Sequence, residues 1–198
     1  QLENNKGPER MSLMGWTIII VIVAIIAIYL WSSYNKLQRA TNSINTAEKQ
    51  IDVQLKYRAD LIPNVVETVK GYATHEQETF TKLTEMRSKV ADSSLDVNER
   101  SKADQQMSHT LGNLFAVAEN YPDLKASTNF LNLQEQLTTI ENKVAAARQM
   151  YNKHILFYNN IVTTFPSNLV AKMFNFSTKP NLEVITDEAQ REAPQVKF

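Results

Sequence analysis

The chain has 198 residues, a formal net charge of zero from 21 basic and 21 acidic side chains, and no cysteine. The absence of cysteine excludes disulfides, thiol chemistry and thiolate metal ligands, and the absence of a basic excess argues against a nucleic-acid partner. Because glycine is rare and the long segments lack strand-like alternation, the sequence predicts an all-α fold.

The first predicted element is a transmembrane helix at residues 15–33, after a short polar segment at residues 1–14. Its apolar run, GWTIIIVIVAIIAIYLW, carries no charge and covers about 25 Å at helical rise, close to the hydrocarbon thickness of a bilayer. Trp16 lies at one end, and Tyr29 and Trp31 lie at the other, where aromatic rings favour the headgroup level. A secretory signal peptide would have a shorter apolar core and a small-residue cleavage site, so we expect a retained single-pass anchor.

The orientation of this anchor follows from the basic residues that flank it. Lys6 and Arg10 precede the apolar run, whereas Lys36, Arg39 and Lys49 follow it. Since basic residues favour the cytoplasmic side, the balance favours a cytoplasmic C-terminal domain.

Residues 34–176 are predicted to form an elongated antiparallel, coiled-coil-like bundle of three long helices. An apolar stripe at 3–4-residue spacing runs from Leu37 to Leu55, is interrupted at Pro63, and resumes through Tyr72 to Met86. One helix kinked at Pro63 and two successive helices both fit, and we favour the kink. The second helix is expected at about 97–120 and the third at 127–165, where the stripe continues to Phe165. A short helix within 167–176 and an extended tail at 177–198 complete the prediction.

Candidate metal and catalytic motifs fail on their spacing. His75-Glu76 begins like H-E-x-x-H, but the second ligand position is Thr79, and none of the three histidines follows a glutamate by three residues. Phosphate-binding glycine loops and nucleophile elbows are also missing. We therefore predict no enzyme activity, no metal and no cofactor.

Two polar groups are the candidate interaction or register surface. One brackets the predicted kink and the other lies beside the stripe of the third helix; together they comprise Lys56, Arg58, Asp60, Pro63, Asn64, Glu67, Glu141 and Arg148. One interpretation is a ligand or partner site at the kink, where backbone carbonyls freed by proline accept hydrogen bonds. The other, which we favour, is interhelical ion pairing that sets helix register.

Four sequence blocks resemble the LemA family. They are QIDVQLKYRADLIPNVVETVKGYATHE at 50–76, NFLNLQEQLTTIENKVAAARQMYN at 129–152, FYNN at 157–160 and EAPQVKF at 192–198. The resemblance implies a bacterial single-pass protein of the inner membrane with a long antiparallel α-helical domain, and no catalytic residue is carried over. Some members are linked to cell-envelope quality control or to forming membrane compartments. Tyr57 and Ala59 depart from the more basic K-R-R-x-D-L-I-P pattern, which weakens the case for an anionic ligand there.

The expected function is that of a membrane-anchored scaffold that self-associates. Apolar positions off the main stripes are the expected contacts between copies, and they are Leu61, Ile62, Leu95, Ile161 and Leu169. One alternative is an adaptor for another membrane protein, such as an envelope protease, with Leu182, Val184 and Ile185 in a docking tail. A membrane-shaping role is the other. Expected partners are membrane lipid, further copies of the chain and another membrane protein.

Overall fold

The protein is all-helical over the residues that the structure describes. This computed structural model describes the backbone of residues 7–182 and the side chains of residues 12–182. Within that range it has six helices and no strand: α1 Gly7–Lys70, α2 Gln77–Ala91, α3 Val97–Ala118, α4 Pro122–Lys125, α5 Thr128–Thr163 and α6 Ser167–Met173. The predicted all-α fold is confirmed. Val184 and Ile185 of the predicted docking tail lie outside the described residues.

The chain divides into two compact units. The first, here called the anchor unit, contains residues 1–43 and 156–179. The second, the bundle unit, contains residues 44–155 and 180–198. Both α1 and α5 contribute residues to each unit, so each unit is built from segments that are far apart in sequence.

The bundle unit has the up-down-up-down order of a four-helix bundle. Asp52 of α1 pairs with Arg100 of α3, and Arg58 pairs with Asp104, so residue numbers rise together and these two helices are parallel. The contacts of α1 with α2 and α5 run in the opposite sense: the Ala59 carbonyl accepts from Arg87, Lys70 lies over the Phe80 ring, Glu141 lies at Arg58, and Asn129 bonds to Thr68. Short connections make this alternation the expected order.

The break between the first two long helices lies after Pro63. Helix α1 continues through Pro63 and ends at Lys70, and a turn at residues 71–76 separates it from α2. The prediction of one helix reaching Met86 is therefore wrong. Proline is tolerated inside α1 because the carbonyl of Ala59, whose usual donor would be the missing N–H of Pro63, accepts a hydrogen bond from Nε of Arg87 at 3.1 Å.

Helices α3 and α5 begin and end close to their predicted positions. Asp96 caps α3 with a reciprocal capping box, in which its side chain accepts from the Glu99 backbone and Glu99 bonds back to the Asp96 N–H. Two residues assigned to apolar stripes are exposed: Tyr72 lies in the turn after α1, and Phe165, 74% exposed, lies in the turn after α5. Both fall outside helices, where the helical period no longer determines which side chains are buried.

The anchor unit combines the apolar start of α1 with the end of α5 and with α6. Large apolar side chains between Leu13 and Trp31 are solvent-exposed, whereas Leu37, Ala40, Tyr158 and Val170 are buried. Asn175 has φ of 57° and ends α6 in a Schellman motif, in which the Phe176 N–H bonds to the Ala171 carbonyl at 2.8 Å. This left-handed residue reverses the chain into an extended segment.

Single asparagine side chains of α5 hold the extended segment. In the anchor unit, the side-chain amide of Asn159 bonds to both the N–H and the carbonyl of Lys179, each at 2.8 Å. In the bundle unit, Asn152 bonds to both backbone groups of Leu182 in the same way, at 2.8 and 3.3 Å. The Leu182 side chain is 4% exposed, so this residue of the predicted docking tail is packed against its own unit.

Candidate functional site

The predicted surface around Pro63 separates into an outward face and one inward residue. Lys56, Asp60, Asn64 and Glu67 recur every three to four residues along α1, and all four are exposed. Pro63 is half-buried. Arg58 lies on the opposite side of the helix, in phase with the core, and is 2% exposed. The structure therefore separates Arg58 from the other charged residues of the first predicted group.

Arg58 belongs to a buried cluster that ties three helices together. Its Nη1 atom donates to both carboxylate oxygens of Asp104 on α3, each at 3.0 Å. Nη2 of Arg148 on α5 donates to Oδ2 of the same Asp104 at 2.7 Å and to the Ser101 carbonyl at 3.1 Å. Glu141, more than half exposed, lies 3.8 Å from Nη2 of Arg58. Arg58, Glu141 and Arg148, predicted from both polar groups, thus meet around one aspartate.

The electrostatics of this cluster are dominated by burial. Asp104 is completely buried, and burial raises the pKa of its carboxyl against the opposing influence of the Arg58 and Arg148 charges. Burial also lowers the pKa of the Arg148 guanidinium, while Asp104 acts to raise it. Among the described residues, Nε of Arg58 and Nε of Arg148 have no hydrogen-bond partner. The charges are therefore paired, but one N–H group of each guanidinium makes no hydrogen bond.

A second polar link lies one helical turn away on α3. Nη1 of Arg100 donates to Oδ1 of Asp52 on α1 at 2.7 Å, and its Nε donates to the Val90 carbonyl at the end of α2 at 3.2 Å. With Arg87 on the Ala59 carbonyl, three arginines besides Arg148 join α1 to its neighbours. In these links, arginine side chains donate hydrogen bonds both to carboxylates and to the backbone carbonyls of the buried residues Ala59 and Val90.

Sequence reasoning missed Asp104 and Arg100, although the stripe of α3 contains the signal. The buried positions Met107, Leu111, Leu114 and Ala118 follow a 4-3-4 spacing. Extending that spacing toward the N-terminus reaches Asp104 and then Arg100. Charged residues in phase with a buried stripe require partners inside the bundle. Arg58 satisfies the same criterion on α1, three residues after Leu55.

The arrangement offers no obvious chemistry on a substrate. The carboxylate of Asp104 is closed off from solvent by the two guanidinium groups that hold it. Between residues 12 and 182, no group of three or more histidine, aspartate or glutamate side chains is placed to hold a metal ion. What the cluster can do with these atoms is hold helices to one another.

The predicted anchor residues lie on an exposed helical segment. Trp16 and Trp31 are 66% and 70% exposed, and Tyr29 is about half as exposed as Trp31. Between residues 12 and 182, one helix is long and apolar enough to cross a membrane by length and composition, and none of its most apolar window is buried. A water-exposed apolar surface of this size is rare in soluble monomers, so the segment is consistent with a membrane anchor.

Comparison of the sequence with known protein families identifies the family to which this helical domain is similar. The profile of the LemA family matches residues 47–198, which include the buried cluster of Arg58, Asp104 and Arg148. The chain belongs to the LemA family. The match begins after the apolar part of α1, so the family signal comes from the helical domain and its tail. This LemA-family chain is 29% identical to protein LemA of Metamycoplasma hominis over 170 residues, covering 84% of the chain and 78% of that protein.

Two more distant relatives of this LemA-family chain carry another name. Magnetosome protein MamQ 2 of Paramagnetospirillum magneticum is 22% identical over 183 residues, covering 80% of the chain and 67% of that protein. Magnetosome protein MamQ of Magnetospirillum gryphiswaldense is 20% identical over 196 residues, covering 86% and 71%. The similarity to each relative therefore extends over most of both chains.

Proposed function

We propose that this LemA-family protein is a membrane-anchored, non-catalytic scaffold whose bundle unit binds further copies of itself. The observation that carries the proposal is a groove-lined seam between α1 and α5, here called the α1/α5 seam. On α1 it contains Gln50, Gln54 and Tyr57. On α5 it contains Gln136, Thr139, Lys143, Ala146 and Met150 at 3-4-3-4 spacing. This second stripe lies beside the core stripe of each helix and faces outward.

The seam has the shape and composition of a helix-docking surface. Two shallow grooves of about 320 and 370 Å³ lie along it, one beside Tyr57 and one floored by Ala146 and Ala147. Tyr57 and Met150 are 48% and 51% exposed. Small residues let a partner helix approach closely, and exposed Tyr and Met are enriched at interface centres.

The charges of the seam support a second copy as the occupant. Glu135 and Lys143, at the groove beside Tyr57, carry opposite signs. In a two-fold pairing, the same patch is used twice, so the Glu135 of one copy can face the Lys143 of the other. The chain has no net charge to oppose association. The similarity to two magnetosome proteins also supports a membrane-associated role.

This proposal revises the set of apolar positions that the sequence suggested as contacts between copies. Leu61, Ile62 and Ile161 are buried in the core and are not available to another copy. Leu95 is half-buried and Leu169 is exposed. The proposed contact therefore moves from off-stripe leucines and isoleucines to Tyr57 and Met150.

The test measures the mass of the full chain in mild detergent by light scattering over a concentration series. Tyr57→Glu and Met150→Glu should each weaken association by tenfold or more, since a large side chain that anchors the centre of an interface is commonly worth about 2 kcal/mol. Tyr72→Glu, which places the same charge on an exposed aromatic outside the seam, is the matched control. A wild-type monomer at the highest concentration, or seam variants that associate as the control does, would refute self-association through this surface.

A further inference from the structure

From residue 12 onward, the anchor unit carries charge of one sign only, which the zero net charge of the whole chain conceals. Residues 12–43 and 156–179 contain no aspartate or glutamate, and their basic residues are Lys36, Arg39, Lys172 and Lys179. Lys36, Arg39 and Lys172 are exposed. An unopposed positive charge beside an apolar helix attracts anionic lipid headgroups, at about 1 kcal/mol for each basic residue near the surface.

A groove in the same unit opens beside the end of the apolar run. Tyr29, Ser33 and Lys36 of α1 form one wall, and Asn160 and Ser167 contribute to the other. Its volume is about 540 Å³, which is large enough for a phospholipid headgroup. Hydroxyl and amide groups thus surround one ammonium group in a concave site.

The position of the groove along α1 matches the headgroup layer. If the apolar run ending at Trp31 fills the hydrocarbon core, Lys36 lies about 7.5 Å beyond it at helical rise. The headgroup layer is about 5–8 Å thick on each side of a bilayer. The Lys36 ammonium, held 5.9 Å from the centroid of the Phe157 ring, therefore reaches the depth at which lipid phosphates lie.

Exposed apolar residues continue the surface beside the groove. Phe165, which also lines the groove, is followed by Leu169 and Met173 at four-residue spacing, and all three are more than half exposed. An apolar face with basic neighbours is the composition of a segment that lies in the membrane interface. Lys172 is adjacent to Met173 on α6 and supplies such a neighbour.

We propose that the groove formed by Tyr29, Ser33, Lys36, Asn160 and Ser167 binds the headgroup of an anionic phospholipid in the membrane that holds the anchor. Lys36 pairs with the phosphate, and the Tyr29 hydroxyl and the Asn160 amide bond to the rest of the headgroup. The Ser167 hydroxyl already donates to the Ile161 and Thr164 carbonyls and only lines the groove. The apolar face from Phe165 to Met173 contacts the acyl region beside it. The site rests on the membrane attachment in the proposed function, but it does not depend on self-association.

The experiment reconstitutes the full chain into vesicles of phosphatidylcholine and phosphatidylglycerol in equal parts, extracts it in mild detergent, and counts retained lipids by native mass spectrometry. Wild type should retain phosphatidylglycerol in preference to phosphatidylcholine. Lys36→Gln should lower that preference about fivefold, and Lys36→Arg should keep it. Lys153→Gln removes an exposed lysine from the bundle unit and should leave the preference unchanged.

Three results would overturn the lipid site. They are equal retention of the two lipids by wild type, equal loss of preference in the Lys36→Gln and Lys153→Gln variants, and displacement of the retained lipid by inorganic phosphate. Flotation of each variant with the vesicles checks the anchor separately. A chain that floats but shows no lipid preference contradicts the headgroup site alone, whereas a chain that fails to float contradicts the membrane attachment itself.

Discussion

Removing Asp104 should destabilise the bundle far more than removing the whole cluster to which it belongs. In an Asp104→Leu variant, the guanidinium of Arg58, 2% exposed, loses two hydrogen bonds, and that of Arg148 loses its shortest one. Leaving such a charge buried without its partner costs about 3–5 kcal/mol. Since domains are stable by about 5–15 kcal/mol, this is a large part of the total. At about 2–4 °C per kcal/mol for a chain of this size, the melting temperature should fall by roughly 6–20 °C.

The triple variant Arg58→Met, Asp104→Leu, Arg148→Met is the decisive comparison. It replaces the cluster by apolar side chains of similar size, and such replacements are often neutral or stabilising by about 1–4 kcal/mol. Thermal unfolding of the full chain in detergent, followed by circular dichroism, measures both variants. Lys82→Ala, which breaks an exposed pair with Glu78, is the control and should change stability by less than about 1 kcal/mol. A single variant as stable as wild type, or a triple variant less stable than the single one, would refute the reasoning.

Three further predictions concern the backbone. Arg87→Ala should lower the free energy of unfolding, measured by thermal unfolding, by about 1–2 kcal/mol. The loss should be much smaller in a Pro63→Ala background, because alanine restores the N–H that proline lacks. Equal losses in both backgrounds would contradict the role of Arg87 as the donor to the Ala59 carbonyl. Asn175→Gly should leave the stability unchanged, whereas Asn175→Val should lower the free energy of unfolding by about 1–2 kcal/mol, because valine is strained at this positive φ. Equal melting temperatures of the two variants would contradict this prediction. Asn152→Leu should speed hydrogen exchange of the Leu182 amide while amides within α3 keep their protection; unchanged exchange would argue against the bond.

The helices that were well predicted are those whose ends are marked by local chemistry. Asp96 caps α3, and Pro166 separates α5 from α6, so each of these boundaries can be predicted from a few neighbouring residues. The four-residue helix α4 was not predicted. The end of α1 has no such local mark. Pro63 is the strongest helix breaker in the region, yet α1 passes through it because Arg87, 24 residues later, supplies a donor to the open carbonyl. A contact so distant in sequence is invisible to a local pattern.

For a related reason, the sequence predicted some residues of the candidate site and not the central one. Arg58, Glu141 and Arg148 attract notice as charges beside apolar stripes, but the stripe pattern does not say which of them meet. Asp104 joins them because α1 and α3 run parallel, which follows only once the turn at residues 71–76 makes α2 a separate helix. An incorrect helix count therefore hides the central residue of the cluster, even though its spacing on α3 is correct.

The order in which the cluster is synthesised has a consequence for incomplete chains. Arg58 and Asp104 are 46 residues apart, and Arg148 follows 44 residues later, so the last member leaves the ribosome well after the first pair. A nascent or truncated chain that stops before Thr128 has Asp104 with only the Arg58 guanidinium and lacks α5, the fourth long helix of the bundle. We expect such a fragment to leave apolar stripes uncovered, which makes incompletely folded chains prone to aggregation. We therefore expect the complete cluster, with both guanidinium groups on Asp104, to form only in chains that contain α5.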